Sequence, residues 1–414
     1  MREKKVKVHS LTGRITPKLM EQAFRAVRKN RGAAGVDKVS IKMFQANLDQ
    51  NLAALMRELK TGEFRPKPLR RAHIDKDFRS KKKRPLGIPV VRDRVAQEVL
   101  RRLLVKVFEP QFHDDSYGFI KNRNCHQAIE RVLHLHSEGY TVVLDADIRG
   151  FFDNIPHRII MDKVAAEVAD GNILRLIERF LAAGVMEDGV YKPTTVGTPQ
   201  GGVISPLLAN IVLNHLDWKL HEAGFRFVRY ADDFVVACTS QLQAQEALAL
   251  VRIILEKELG LELNEEKTKI SRYGSGYDFL GFTLQSRSRK MRPKSVQKFK
   301  DKVRMLTVRK HNLDAQAIAR LNQVIRGTAN YFGRPSFSTC RWSFQKLDSW
   351  IRMRLRCMRL QRKNYNDNHK LRARYFHHKL GLLTLEQFCT VSTARGNTRY
   401  AVPRLGATQV GVAR

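Results

Sequence analysis

Residues 229–236, Arg-Tyr-Ala-Asp-Asp-Phe-Val-Val, place two adjacent acids between apolar runs. These runs predict short buried strands, and the Ala-Asp-Asp segment predicts the tight connection of a hairpin. At the tip of such a hairpin, the carboxylates of Asp232 and Asp233 would repel each other and lose solvation unless a cation compensates for their charge. A divalent ion with oxygen ligands is the natural compensation. Taken alone, the pair also fits an acidic turn that faces water.

A second group of acids follows the apolar run Thr-Val-Val-Leu at 141–144, which predicts a short buried strand. Side chains alternate along a strand, so Asp145 and Asp147 are expected on the same face. A solvent-facing cap at the strand end explains these acids equally well until the hairpin at 229–236 is considered. Together the two groups indicate acids that converge from separate strands.

The composition points to a polyanionic partner. The 414 residues include 76 Lys or Arg and 40 Asp or Glu, a formal net charge of +36. Nucleic acid is the simplest partner for such an excess, and a membrane surface is the weaker alternative. The chain has no run of about 18 apolar residues, and its basic N-terminus is not that of a signal peptide. The five scattered cysteines indicate free thiols in a reducing compartment.

Basic residues concentrate in two regions. Residues 65–84 hold ten Lys or Arg and two Asp, which fits either a solvated face or a hairpin that grips phosphate groups. From residue 291 onward there are 27 Lys or Arg against 5 Asp or Glu, with aromatic residues interleaved. That tail predicts a helical nucleic-acid-binding surface, with a domain boundary near 285–295.

The hydrophobic periodicity predicts several helices and further β segments, among them a small β element at 186–196 and a turn and strand at 261–270. The helices are expected at 17–28, 40–60, 94–108, 127–136, 158–184, 241–259, 315–331 and 342–358, and a further strand at 277–282. A glycine-rich turn at 197–206 opens a long apolar helix. It lacks the spacing and the lysine of a Walker loop, so no P-loop nucleotidase is expected.

Several motifs in one order make the chain resemble the group II intron-encoded reverse transcriptase and maturase family. The motifs in the first two-thirds of the chain are RGAAGVD at 31–37, KRPLGIP at 83–89, DIRGFFDNIPH at 147–157, TPQGGVISPLLANIVL at 198–213, RYADDFVV at 229–236, LNEEKT at 263–268 and FLGF at 279–282. In the tail, LNQVIRGTANYF at 321–332 resembles the maturase-specific thumb, called domain X.

The resemblance implies an α+β right-hand polymerase followed by an α-helical thumb. Residues 1–90 would form the N-terminal extension and part of the fingers. Residues 91–290 would form the remaining fingers and a palm with an antiparallel sheet, and residues 291–414 an RNA-binding thumb or maturase domain X. Since no Cys-x-x-Cys cluster or His/Asn-rich stretch follows the thumb, the endonuclease domain of many relatives is expected to be missing.

The resemblance also implies catalysis by an RNA-directed DNA polymerase with two Mg²⁺ ions, for which Mn²⁺ could substitute. Asp147 and Asp232 would be the main metal ligands and Asp233 the third acid, while the carbonyl of Ile148 would touch one metal. Asp145 and Asp153 are the local competitors of Asp147 and are interpreted as structural.

The family resemblance also implies which side chains would surround the incoming nucleotide and the primer end. Lys76 and Arg84 would bind the triphosphate, although neighbouring lysines at 75–83 compete with Lys76. Phe152 would exclude a 2′-hydroxyl, or would simply be a core residue beside Phe151. Lys267 would approach the pyrophosphate, or would be a surface lysine. The pocket would also include Pro199, Gln200 and Gly201, and the primer grip Phe279, Leu280, Gly281 and Phe282.

The expected partners are an RNA template with a DNA primer, dNTPs and a group II intron RNA whose splicing and mobility the protein assists. No membrane partner is expected. The expected location is the cytoplasm of a prokaryote, in a nucleoid-associated or ribonucleoprotein-associated state. Two alternatives stay open: a catalytically silent maturase that acts as an RNA chaperone, and a freestanding domesticated reverse transcriptase in defence or repair.

Overall fold

The computed structural model describes residues 7–75, 83–198, 201–334, 336–362, 367 and 369–389. Two compact units divide the chain at Met1–Leu280 and Gly281–Arg414. The domain limits expected from the sequence, at 90/91 and 290/291, stay predictions. No helix in the described part of the chain is long and apolar enough to cross a membrane.

The first unit mixes helices with short strands. Its helices are α1 (Pro17–Lys29), α2 (Ile41–Ala46), α3 (Leu48–Thr61), α4 (Val91–Phe108), α5 (Cys125–Ser137), α6 (Phe151–Asn154), α7 (His157–Glu167), α8 (Gly171–Leu181), α9 (Ser205–Glu222) and α10 (Gln241–Arg252), which continues as a π-helix over Ile253–Glu258. Its strands are β1 (Leu69–Asp75), β2 (Lys83–Ile88), β3 (Val142–Asp147), β4 (Val185–Glu187), β5 (Val190–Lys192), β6 (Arg226–Tyr230), β7 (Asp233–Cys238), β8 (Lys269–Arg272) and β9 (Tyr277–Phe279).

The sheet that matters for function has the strand order β6-β7-β3-β8, and every neighbouring pair in it is antiparallel. Leu144 of β3 and Phe234 and Val236 of β7 are buried in the core, together with residues of α9 and α10. The strands predicted from the apolar runs at 141–144 and after Asp233 are β3 and β7, and the structure confirms that they are neighbours. Their acidic ends lie together because β3 and β7 run in opposite directions.

A second sheet carries the basic segment. Its order is β2-β1-β4-β5, with β1 and β2 antiparallel and Asp75 opposite Lys83. The basic hairpin predicted at 65–84 is thus present in its two strands, while residues 76–82 at its tip lie outside the described residues.

Three sequence predictions of single elements need correction. The helix expected at 40–60 is two helices, because Asn47 leaves helical geometry with φ −121° and ψ 48°. The helix expected at 158–184 is also two, because Val168 is extended and the Asp170 carboxylate caps α8 by accepting the amides of Asn172 and Ile173. The strand expected at 277–282 ends at Phe279, and the chain turns at Leu280 and Gly281, whose φ values are 45° and 84°.

The second unit is mainly helical. It contains a hairpin of β10 (Phe282–Gln285) and β11 (Ser288–Met291), followed by α11 (Pro293–Leu306), α12 (Ala315–Phe332) and α13 (Arg341–Arg359). Phe299, Ile325, Phe344 and Ile351 are buried in its core. The predicted helices at 315–331 and 342–358 are confirmed, and so is the expected α+β class with an antiparallel sheet and a helical C-terminal part.

Candidate active site

The central sheet brings the acids of the two motifs together. Asp147 is the last residue of β3 and stands opposite Asp233, the first residue of β7. Tyr230 pairs with Asp233 in the β6–β7 hairpin, so Ala231 and Asp232 form its turn. The two acids of the hairpin therefore differ in environment: Asp232 is half-buried in the turn and Asp233 is exposed at the strand end.

A cavity of about 450 Å³ opens at this end of the sheet. It is lined by Arg84, Pro85, Phe119, Asp147, Ile148, Gly150, Phe151, Phe152, Asp153, Gly201, Gly202, Ser205, Pro206, Asp232 and Lys267. Seven of the predicted site residues thus meet in one place: Asp147, Ile148, Asp232, Arg84, Phe152, Gly201 and Lys267. Asp233 is outside this lining, although its backbone pairs with Asp147.

The Asp147 carboxylate is held by the segment that follows α10. Lys267 Nζ and Asn264 Nδ2 both donate to Asp147 Oδ2, at 2.9 and 3.0 Å. The Asp147 carbonyl accepts the Asn264 amide at 2.8 Å, and the Arg149 amide donates to the Glu262 carbonyl at 2.9 Å. Ile148 lies between Asp147 and Arg149, and its carbonyl is used by neither of these two backbone hydrogen bonds. It belongs to a residue that lines the cavity.

Burial and mutual repulsion raise the pKa of two carboxyl groups near the sheet end. The pKa of Asp232 is raised chiefly by burial and further by the charge of Asp147, while Arg84 and Arg229 oppose the rise. Burial also raises the pKa of Asp145 to about 7, with Asp233 and Asp147 adding to the rise. Asp145 and Asp147 both lie on β3, two residues apart, so strand alternation places them on one face.

The residues predicted for the nucleotide approach the acids from the other walls of the cavity. Phe152 is half-buried and packs edge-on against the buried Phe151, with 5.3 Å between ring centroids. Arg84 is exposed at the start of β2. Gly201 has φ +113°, and a Cβ there would lie 2.5 Å from the Gly87 carbonyl oxygen, so the glycine-rich turn packs directly on β2. Lys76, Pro199 and Gln200 lie outside the described residues.

The segment predicted to grip the primer contains two buried aromatic residues. Phe279 and Phe282 are 1% and 0% exposed. Phe282 packs against Tyr331, Phe332 and Phe337 within the second unit.

Comparison with known proteins now bears on this geometry. Residues 73–284 match the family described as reverse transcriptase (RNA-dependent DNA polymerase). The chain belongs to the reverse transcriptase family. Residues 296–376 of this family member match the maturase-specific domain of group II introns. The architecture is accordingly that of a reverse transcriptase palm and fingers followed by a helical maturase domain.

Three bacterial relatives are similar to this chain over half of its length or more. Protein YkfC of Escherichia coli (strain K12) is 35% identical over 314 residues, which span 66% of this chain and 82% of YkfC. The group II intron-encoded protein LtrA of Lactococcus lactis subsp. cremoris is 27% identical over 422 aligned positions, which span 78% of this chain and 70% of LtrA. The retron Mx65 reverse transcriptase of Myxococcus xanthus is 28% identical over 228 residues, half of each chain.

The oxygen atoms at the cavity suit the magnesium ions on which reverse transcriptases generally depend. Mg²⁺ is commonly bound by one or two carboxylates together with substrate phosphates. Asp147, Asp232 and the Ile148 carbonyl offer such a set. Within the described residues no three His, Cys, Asp or Glu side chains form a metal-binding group by themselves. Carboxylate oxygens are nevertheless donors of the kind that Mg²⁺ prefers.

The structure places three further residues at or near the active site of this reverse transcriptase family member, and the sequence predicted a role for none of them. Asn264 donates to Asp147, a contact that the sequence LNEEKT at 263–268 does not predict. Phe119 is 62% exposed at the cavity, and an isolated aromatic residue carries no sequence signal for such a place. Arg229 opens the hairpin motif but is fully buried, which only the contacts of helix α9 explain.

Proposed function

We propose that this protein is an RNA-directed DNA polymerase that extends a DNA primer on an RNA template. The observation that supports this most is the meeting of Asp147 and Asp232 in one cavity with Arg84 and Phe152. In the proposed reaction, the primer 3′-hydroxyl attacks the α-phosphate of a dNTP. The new P–O bond extends the primer, and the bond to pyrophosphate breaks.

The acids would serve as metal ligands rather than as nucleophiles. Two Mg²⁺ ions, or Mn²⁺ in their place, would stabilise the attacking and leaving oxygens when bound. Asp147, Asp232 and the Ile148 carbonyl would hold them, with Asp233 as a third acid. The raised pKa of Asp232 fits this role, because burial next to another carboxylate is relieved when a cation is added.

The other cavity residues would bind and select the nucleotide. Arg84, with Lys76, would hold the triphosphate, and Pro199, Gln200 and Gly201 would line the pocket beside it. The ring of Phe152 would stand against the sugar and exclude a 2′-hydroxyl. Lys267 binds Asp147 directly, so it would move from that carboxylate toward the pyrophosphate once the site is loaded.

The second unit would bind RNA. Its match to the maturase-specific domain supports a group II intron RNA as the bound molecule, and assistance to splicing and intron mobility as the consequence. The primer grip would be formed by Phe279, Leu280, Gly281 and Phe282. We place the protein in the cytoplasm of a prokaryote, within a ribonucleoprotein or at the nucleoid.

Two alternatives have some support of their own. The maturase-specific match covers residues 296–376, none of which lines the cavity. A maturase that had lost polymerase activity would therefore still show this match. The similarity to a retron reverse transcriptase, a relative that its name does not tie to a group II intron, leaves room for a freestanding reverse transcriptase, which we would place in defence or repair. Splicing of an intron RNA in vitro, added to the polymerase assay below, separates these functions. RNA domains of a group II intron in the flanking DNA would favour the intron-encoded form.

The experiment is extension of oligo(dT) on poly(rA) with dTTP and Mg²⁺. We expect extension by the wild type, and its loss in Asp232→Asn, which keeps the side-chain shape and removes the charge. Asp188→Asn, at an exposed turn between β4 and β5, is the matched control and should extend normally. A folded wild-type protein that extends no primer would support the silent maturase instead.

A further inference from the structure

Arg229 lies in the hairpin motif, yet its side chain points into the protein. It is 0% exposed, and so is Asp217 of α9. Arg229 Nε donates to Asp217 Oδ1 at 2.7 Å, and Nη2 donates to Asp217 Oδ2. This bidentate pair is shielded from solvent, and a buried ion pair contributes little net stability compared with apolar residues of the same volume. Stability alone therefore does not explain why the Arg229–Asp217 ion pair is buried here.

The remaining nitrogen of Arg229 reaches the catalytic turn. Nη1 donates to the Ala231 carbonyl and to Asn210 Oδ1, both at 2.9 Å. Asn210 and Asp217 are seven residues apart on α9, which is about two helical turns and places them on one face. The guanidinium therefore joins a rigid helix to the residue immediately before Asp232.

The turn needs such a restraint. Ala231 has φ 58°, a left-handed conformation that costs a residue with a Cβ about 1–2 kcal/mol. No glycine relieves this cost. Bonds from outside the turn offset this cost and help to hold Ala231, and with it Asp232, in place.

A neighbouring segment closes the turn from the other side. Asn210 Nδ2 donates to the Gly118 carbonyl at 2.7 Å. A Cβ at Gly118 would lie 2.2 Å from the Ala231 nitrogen, so only glycine fits there. The Arg229 backbone also pairs with this segment, through Asp115 and Tyr117. The Ala231 peptide is thus held between Gly118 and Arg229.

We propose that Arg229 is a positioning residue for the Ala231–Asp232 turn, held in place by Asp217 and Asn210 of α9. Its role is to keep the Asp232 carboxylate facing Asp147. The inference rests on the proposed polymerase function for its kinetic consequence, but the geometry of the turn can be tested without turnover.

The test compares Arg229→Lys and Asn210→Ala with the control Arg226→Lys, an exposed residue on the same strand. Lysine keeps the charge but loses the fork that spans Asp217 and Ala231. Asn210→Ala keeps the ion pair and removes one bond on each side of the turn, so it provides a readout if Arg229→Lys does not fold. Circular dichroism and thermal unfolding establish the folded fraction of each variant.

In the folded variants we expect kcat to fall about 10–100-fold, as for other residues that orient metal ligands, and the Mg²⁺ concentration for half-maximal rate to rise. The KM for dTTP should stay near the wild-type value. Hydrogen–deuterium exchange of peptides covering 230–236 should become faster in both variants and unchanged in Arg226→Lys.

A purely structural role would give a different result. The rate would then fall only with the folded fraction, and the Mg²⁺ requirement and the exchange at 230–236 would match the wild type; that outcome overturns the proposal. If the wild type extends no primer, the polymerase assignment fails, while the exchange measurement still decides whether Arg229 and Asn210 hold the turn.

Discussion

Asp147 is the residue on which several contacts converge. Its side chain is 38% exposed and accepts hydrogen bonds from Lys267 and Asn264 at one oxygen. Its position at the end of β3 could be predicted from the sequence, because an apolar strand that runs into acids was visible. The attachment of Lys267 could not, since it depends on how the loop after α10 folds back on the strand.

Lys267 offers a prediction at this scale. Lys267→Met should change the free energy of unfolding by less than about 1 kcal/mol, because the ion pair is solvent-exposed. It should lower kcat about 100-fold if the amine assists the leaving pyrophosphate. Steady-state extension at saturating Mg²⁺ measures this, with the exposed Lys257→Met as control. An unchanged kcat would leave Lys267 as a surface lysine.

Phe152 gives a prediction about substrate choice. Phe152→Ala should raise incorporation of UTP relative to dTTP about 10–200-fold, because the wall against a 2′-hydroxyl is removed. Phe152→Tyr keeps the wall and should keep the preference for dTTP. The ratio of kcat/KM values for the two nucleotides is the measurement. Equal ratios in wild type and Phe152→Ala would make Phe152 a core residue beside Phe151.

At the scale of elements, the β6–β7 hairpin and β3 were predicted correctly because alternation and apolar runs are local signals. The breaks at Asn47 and at 168–170 were missed because the apolar periodicity continues across them. What separates α7 from α8 is a tertiary contact: Asp170 also accepts the amide and hydroxyl of Thr12 at 2.7 and 2.8 Å. Such a contact, 158 residues apart, has no local trace.

Helix α4 contains a buried acid with a consequence for pH. Asp93 is 1% exposed, and its Oδ2 accepts the Lys67 amide at 2.8 Å, while no described residue bonds its Oδ1. Burial raises its pKa from 3.8 to about 7, although the Lys67 bond and Arg92 oppose the rise. The folded state therefore binds a proton that the unfolded state releases, and stability falls as pH rises from about 4 to 7.

Asp93→Asn removes this proton uptake. The variant should show a flatter dependence of stability on pH, and above pH 7 it should be more stable than the wild type by at most about 4 kcal/mol. The urea midpoint of the full chain at pH 5 and at pH 8 measures the difference. Asp49→Asn, an exposed acid in the first turn of α3, is the control. Parallel pH curves for wild type and Asp93→Asn would contradict the burial argument.

At the scale of the whole molecule, the net charge and the order of the motifs were the sequence features that best predicted the partner class and the family. A net charge of +36 indicated a nucleic-acid partner, and the ordered motifs indicated the family that residues 73–284 and 296–376 then matched. The primer grip at Phe279, Leu280, Gly281 and Phe282 stays a prediction. The two aromatic rings in it are buried.

The charge predicts a steep salt dependence. If six or more phosphates are contacted, the affinity for single-stranded RNA should fall at least about 300-fold between 50 and 200 mM salt. Filter binding of a labelled single-stranded RNA measures this, with the same titration in sucrose as a control for bulk solvent effects. An affinity that is insensitive to salt would mean that the basic surface is not the RNA-binding surface.

The central claim is that Asp147 and Asp232 act as one unit in nucleotide addition. Rapid-quench incorporation of a single dTTP by Asp147→Asn, Asp232→Asn and the double variant tests it most directly. Residues that act as a unit are strongly non-additive. The incorporation rate of each single variant should therefore be at least about 1,000-fold below that of the wild type. The rate of the double variant should be no lower than that of the single variants. Losses that multiply in the double variant, or a single variant that keeps a substantial part of the wild-type rate, would contradict the account.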